Sequence, residues 1–207
     1  MFAAGTDTSF TSLEWAMSEL IRNPKAMKTL QNEVREVAGS KEEINEQDLD
    51  KMPYLKAVLK GNLRMHPPVP VLSPRELIKD TKVLVYDVAF GTRVMINVGA
   101  ISKDPSLWEN PEEFRPERFL ESSRDFRGLH FEFILFGAGR RGCPGTTFAV
   151  AVIELALAKL VHKLDFTSPN GAKMEELDMS ESNAITVHKK SPFGSYSTCL
   201  LGNAVLF

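Results

Sequence analysis

Phe136-Gly137-Ala138-Gly139-Arg140-Arg141-Gly142-Cys143-Pro144-Gly145 is the stretch on which the reading of this chain turns. Four glycines and two arginines surround a single cysteine, and an apolar run from Phe148 to Leu164 follows at once. Glycine lets backbone approach a bound group closely. Arginine supplies a fixed positive charge, and the N-terminal end of a following helix favours a negative sulfur. A lone cysteine is most often a small buried hydrophobe, but this setting argues for a functional thiolate at Cys143. Cys199 lies in no such setting and reads as structural or incidental.

Working outward, Phe148 to Leu164 is apolar on nearly every side, which predicts a helix buried in a core. Upstream, Asp104 to Gly145 is rich in Pro, Gly, Phe and Arg with little periodicity. So long an irregular stretch in a compact chain is usually functional or disordered, and the aromatics argue against disorder. Before it, Lys82 to Tyr86 and Arg93 to Val98 read as two strands joined by a turn around Phe90-Gly91. Leu13, Met17, Leu20 and Ile21 recur at helical spacing up to Asn23-Pro24. Met27, Leu30 and Val34 mark a second helix stopping at Gly39, and Glu42 to Lys51 a short helix or loop. A third helix is predicted over Pro53 to Met65, stopped by His66-Pro67-Pro68. Near the end, Pro169-Asn170-Gly171 suggests a turn and Ile185 to His188 a final strand. Ser195 to Phe207 carries no readable pattern.

Composition narrows the class. The 207 residues are 43% hydrophobic and 25% charged, as in a globular domain, and the net charge of −2 argues against a general nucleic-acid binder. Two cysteines without a C-x-x-C give neither a disulfide framework nor a zinc site by spacing. No signal peptide or transmembrane stretch is visible. Met1 runs directly into a helical pattern, as if the chain opened in the middle of an element.

The cysteine stretch fits F-x-x-G-x-R-x-C-x-G through Phe136, Gly139, Arg141, Cys143 and Gly145. Five such fixed positions should coincide by chance on the order of once in tens of thousands of chains of this length. It resembles the haem-ligand loop of the cytochrome P-450 family. The resemblance implies a mainly α fold with small β-sheets and a haem b cofactor whose iron is ligated by Cys143. Phe136 would pack on the thiolate side and Arg141 would bind a propionate. A thiolate pushes electron density onto iron and favours O–O cleavage.

Further motifs occur in the family's order. Ala4-Gly5-Thr6-Asp7-Thr8-Ser9 resembles the oxygen-activating stretch of the long central helix, where a local irregularity would make room for dioxygen. Asp7 and Thr8 would then be catalytic, relaying protons. By itself the stretch reads equally well as a helix N-cap. Phe114 to Phe119 fits F-x-P-E-R-F, and Arg75 stands where a second propionate-binding arginine is often placed. Val69, Val71 and Leu72, with residues near Ala184 and Ile185, would line the substrate side, although a core role explains such apolar residues at least as well. The expected organisation is one partial domain over 1–207. Within it lie the end of the oxygen-activating helix at 1–22, the E-x-x-R helix at 53–65, the F-x-P-E-R-F segment at 114–119, the haem-ligand loop at 136–145 and the buried helix at 146–164.

One departure matters. In the segment resembling the E-x-x-R helix, Gly61 occupies the Glu position while Arg64 is present. If the usual geometry persists, Arg64 and Arg118 face each other without an anion between them. Removing one partner of a buried pair costs roughly 3–5 kcal/mol, and glycine inside a helix adds about 1 kcal/mol, so poor haem retention is expected.

Trp108 to Phe114 and Thr186 to Lys190 further resemble the large plant microsomal group, the 71-type clan. The resemblance covers residues 1 to 193 and makes the chain a C-terminal fragment of a longer protein. It implies a monooxygenase acting on a small lipophilic plant secondary metabolite with O2. Electrons would come from an NADPH–cytochrome reductase, since the chain has no dinucleotide fingerprint. The intact protein would sit at the cytosolic face of the endoplasmic reticulum membrane, and this fragment carries no anchor. A second reading is a non-catalytic remnant or pseudogene product, motivated by Gly61, the abrupt start and the unusual tail. The family assignment favours the first; for the activity of this chain alone, the second is favoured.

Overall fold

Leu20, Leu30, Leu55 and Leu157 have no solvent exposure, and they come from the four long helices that build the first core. The computed structural model describes residues 2–167, 177–182, 184–191, 198–201 and 204–206. Helix α1 runs Phe2–Arg22 and α2 runs Pro24–Ala38, with Pro24 at its first turn. That proline has no amide to waste and a φ already suited to a helix start. Gly39, at φ +56°, turns the chain out of α2.

Helix α3, Pro53–Met65, has the bounds the sequence predicts. Its first turn is satisfied from outside: the Glu33 carboxylate on α2 accepts from the amides of Tyr54 and Leu55, both at 2.8 Å. Burial pushes the Glu33 carboxyl upward while those two bonds hold it down. Between α2 and α3, a 3-10 turn at Glu46–Lys51 is closed by a reciprocal cap between Asn45 and Asp48.

Helix α3 also borders a second core, made largely by the irregular stretch. Trp108, Phe119, Phe126 and Phe133 pack there with Ala57, Leu59 and Leu63. The ring centroids of Phe119 and Phe133 lie 5.2 Å apart, and Trp108 meets Phe133 edge-on at 5.8 Å. Such pairs add roughly 0.5–1.5 kcal/mol each beyond their buried area. Aromatic packing therefore orders a segment that has no long secondary structure.

Helix α5, Thr146–Lys163, packs on α1, α2 and α3. It buries Ile153, Leu157, Ala158 and Val161, but Phe148 and Val152 are exposed. The all-round burial expected from its composition is thus corrected to one buried face, because neighbouring helices cover only that side.

The strand expectations also change. Thr81–Val83 (β2) pairs antiparallel with Tyr86–Val88 (β3) across a turn at Leu84-Val85, with Leu84 at φ +54°. The apolar run read as one strand is a hairpin with the turn in its middle. Leu84, Val85 and Tyr86 are exposed, so no buried face holds the run straight. Arg75–Glu76 (β1) pairs with Arg93–Val94 (β4), and the second expected strand stops there. The Asn97 side chain accepts from the amide of Ala100 at 2.9 Å and starts helix α4, Val98–Ser102.

Ile185 to His188 forms no strand: the Val187 amide donates to Pro68 and its carbonyl accepts from the Trp15 indole, both at 2.9 Å. Those bonds consume the groups a ladder would need. The final sheet is instead Asp165–Thr167 (β5), Thr198–Leu201 (β6) and Ala204–Leu206 (β7), antiparallel in that order. The turn expected at Pro169-Asn170-Gly171 lies outside the described residues.

Candidate functional site

The cysteine loop is held by its own backbone. The Cys143 amide donates to the Phe136 carbonyl at 2.8 Å, and the Gly137 amide donates to Ile134 at 2.8 Å. Gly137 and Gly139 sit at φ +73° and +67°, a region side chains rarely adopt, so the reversal needs glycine at both. Thr146 Oγ1 then donates to the Cys143 carbonyl at 3.0 Å where α5 begins. The cysteine is free and exposed. A Cβ at Gly145 would stand 3.7 Å from its Sγ, so glycine keeps that flank of the sulfur open.

Cys143 opens onto a cavity of about 620 Å³, within the range of small-molecule and cofactor sites. Thr8, Arg75, Phe136 and Arg141 line the same cavity, together with Arg140. Apolar wall comes from Leu63, Val69, Leu72 and Ile153. Residues far apart in the chain are thus brought together as expected: α1 supplies Thr8, β1 supplies Arg75 and the loop before α5 supplies the thiol. Gly139 and Gly145 do not line the cavity; they shape the loop. Phe136 is fixed by an edge-on contact with Phe126 at 5.5 Å. Arg75 lies along the loop, its Nη2 reaching the Ala138 carbonyl at 3.5 Å. Arg140 was not anticipated, because it occupies a free position of the motif; the Arg-Arg doublet was its only signal.

Several expected members lie elsewhere. Asp7 does not line the cavity: its Oδ1 lies 3.3 Å from Nε2 of His188, on the other shoulder of α1. No irregularity interrupts α1, and the stretch around Asp7 lies inside the helix and not at a cap. The Thr8 hydroxyl donates to the Ala4 carbonyl at 2.7 Å. Val71 bridges to Asn97, and Ile185 is exposed, so neither meets the cavity.

The described cavity wall carries three guanidiniums and no carboxylate. A cavity with one soft sulfur donor, apolar sides and several fixed cations suits a flat apolar group with one soft metal and two carboxylates. The residues present therefore fit a haem. Among the described residues, no three His, Cys, Asp or Glu side chains gather as a metal site.

Comparison with known proteins decides the family. A model of the family described as Cytochrome P-450 matches residues 1–193. The chain belongs to the cytochrome P-450 family. It is 68% identical over 192 residues to cytochrome P-450 71A6 of Nepeta racemosa, covering 93% of this chain and 38% of that protein. It is 63% identical to (+)-menthofuran synthase of Mentha piperita and 54% identical to psoralen synthase of Ammi majus, covering 93% of this chain and 39% of each relative. A zebrafish cytochrome P-450 solved with abiraterone superposes with a TM-score of 0.86 at 30% identity, over 98% of this chain and 46% of that one. The chain thus spans about two fifths of its curated plant relatives. No helix among the described residues is long and apolar enough to cross a membrane.

Gly61 leaves its mark beside this site. Arg64 is fully buried and donates to the carbonyls of Ser102, Pro111 and Glu113 at 2.8, 2.7 and 2.9 Å. Arg118 donates to the carbonyls of Glu109, Asn110 and Glu113. The two guanidiniums share the Glu113 carbonyl, and neither pairs with a carboxylate among the described residues. Each keeps a buried Nε without a partner. Burial, then the charge of Arg118, brings the Arg64 pKa down to about 10.

Proposed function

We propose that this chain is the cofactor-holding part of a monooxygenase that inserts one oxygen atom of O2 into a small lipophilic plant metabolite. The observation that carries the reading is that one cavity is lined by Cys143, Thr8, Arg75 and Arg141, which come from separate parts of the chain. Haem b, when bound, supplies dioxygen binding and O–O cleavage, which a thiolate ligand favours.

Each residue then has a task. Cys143 Sγ binds the metal, and Gly145 keeps its flank open. Arg75 and Arg141 bind the two propionates, with Arg140 available beside them. Phe136 packs on the thiolate side. Thr8 Oγ1 holds a proton at the cavity wall. Leu63, Val69, Leu72 and Ile153 exclude water and offer apolar contact to a lipophilic substrate. The names of related plant proteins, menthofuran synthase and psoralen synthase, support small metabolites as the substrate class. Electrons come from an NADPH–cytochrome reductase at the cytosolic face of the endoplasmic reticulum.

The test is haem titration of the chain followed by reduction under CO. One haem per chain and the red-shifted Soret band of a thiolate complex are expected, and Cys143→Ser should abolish that band. A Cys143→Ser protein with an unchanged band would refute the assignment. A second reading, a non-catalytic remnant, is favoured by one observation: Arg64 is buried without a carboxylate partner among the described residues. Substoichiometric haem in a folded chain would select it.

A further inference from the structure

Arg64 and Arg118 turn two guanidiniums onto one neutral oxygen. Nη2 of each donates to the Glu113 carbonyl, at 2.9 Å from Arg64 and 3.2 Å from Arg118. Nε and Nη2 share one edge of a guanidinium, an edge that can grip a carboxylate through two parallel bonds. In both arginines the Nε on that edge is buried and has no partner among the described residues. Arg64 is wholly buried, and its Nη2 uses a second bond on Met65 Sδ at 2.8 Å, a weak acceptor. Its Nη1 is saturated by the Ser102 and Pro111 carbonyls.

The carboxylates nearest this pair are engaged elsewhere. Glu19 lies 2.7 Å from His66 Nε2, Glu109 lies 2.8 Å from Arg115, and Glu112 lies 3.9 Å from Lys103. Glu117 accepts from the Tyr54 hydroxyl at 2.7 Å. Glu113 offers the pair its carbonyl, and the residue itself is exposed. One turn before Arg64, Gly61 is buried in α3 and places no side chain against Phe114 and Pro116. Arg118 also borders a cleft open to solvent with Glu117, Leu120, Glu121 and Ser122, which gives a small ion a way in. The two glutamates there repel a multiply charged anion more strongly than a singly charged one.

We propose that the Nε–Nη2 edges of Arg64 and Arg118, beside Gly61, form a binding site for a small monovalent carboxylate, of which formate is the smallest. The bound carboxylate takes the two orphaned Nε donors, replaces the thioether at Arg64 and supplies negative charge to two cations at once. Burial holds both guanidinium pKa values down, that of Arg64 to about 10, and an anion between them counters that effect. No part of the inference involves haem, so it stands or falls apart from the monooxygenase reading.

Sodium formate is the probe, and sodium chloride at equal ionic strength is the control. Formate should raise the wild-type melting temperature with half-saturation at roughly 1–10 mM, the range two charge-assisted bonds imply. At about ten times that concentration the rise should exceed that in chloride by roughly 3–5 °C. Gly61→Glu brings a carboxylate to Arg64 from within the helix, so the two salts should act alike on that variant. Equal effects of the two salts on the wild type overturn the site, and so does a formate rise undiminished in Gly61→Glu.

Resonances of the buried Nε–H groups report binding directly. That of Arg118 is assigned by its loss in Arg118→Lys, and that of Arg64 by its proximity to the Trp108 ring, whose centroid lies 5.3 Å from the guanidinium carbon. Both should shift with formate at the half-saturation seen in melting. Arg118→Lys keeps the charge but not the two-bond edge, and should weaken formate binding by about tenfold. Formate that stabilises the chain while shifting neither Nε–H acts elsewhere and overturns the proposal.

Discussion

Restoring an acid at position 61 should stabilise this chain, and the size of the effect follows from Arg64. Its guanidinium has no exposure, bonds only to neutral carbonyls and a thioether, and keeps Nε unpartnered. Burial and the nearby Arg118 lower its pKa to about 10, and that fall from the ordinary value corresponds to roughly 3 kcal/mol against the charged form. A base depressed on folding bears this cost at every pH below its folded value, so it is fully present at pH 7 and is relieved only above pH 10.

Positions 61 and 64 share a face of α3 by their spacing. A Cβ at 61 would lie 3.4 Å from the Phe114 ring and 3.7 Å from Pro116 Cα, so a side chain can start there. Gly61→Glu should recover about 1 kcal/mol of helix propensity and part of the electrostatic cost, less the desolvation of the new carboxylate. A net gain of about 2–3 kcal/mol would raise the melting temperature by roughly 5–10 °C. Calorimetry at neutral pH should rank Gly61→Glu above Gly61→Gln, which has the size without the charge, and Gly61→Ala, which has the propensity alone. The ferrous–CO signal per chain should rise with it. Equal stability for the Glu and Gln variants would refute the reasoning.

Arg75→Ala and Arg141→Ala should each weaken haem binding by roughly tenfold, the loss of one charge-assisted bond. Haem titration measures it, and wild-type affinity in both variants would remove the propionate assignment. Glu154 is buried on α5 and its carboxyl is pushed upward by that burial. The folded chain therefore holds its proton to higher pH than the unfolded one, and stability falls as pH rises through that window. Glu154→Gln should raise the melting temperature at pH 7 by about 2–4 °C, equivalent to about 1 kcal/mol. The gain should vanish below about pH 4, where the carboxyl is protonated in both states. Trp108→Ala, which removes a ring packed on Phe119, Phe133, Arg64 and Arg124, should cost about 3–5 kcal/mol by denaturant titration.

Sequence alone determined the four long helices and the cysteine loop, because both are written locally. Pro53 and His66-Pro67 bound α3 by removing amides and fixing φ, and Gly137 and Gly139 permit a reversal whose bonds stay within ten residues. Asn97 was a readable helix cap that the β-branched run around it concealed.

What tertiary structure decided depended on distant partners. The run from Lys82 to Tyr86 has strand chemistry, yet with no sheet or helix among the described residues covering its apolar side it folds back at Leu84-Val85. Ile185 to His188 has strand chemistry too, but Pro68 and Trp15 take its backbone bonds. Arg64 was expected to lack its anion; that Ser102, Pro111 and Glu113 would offer carbonyls in its place could not be read from α3. Asp7 shows the division most sharply. Its motif identified the residue from neighbours in the chain, but the direction of its carboxylate was set by His188, 181 residues away. Residue type and local geometry are encoded where they stand. The partner that orients a polar side chain is chosen by packing, since a charge turns toward whichever distant group the fold brings within hydrogen-bond reach.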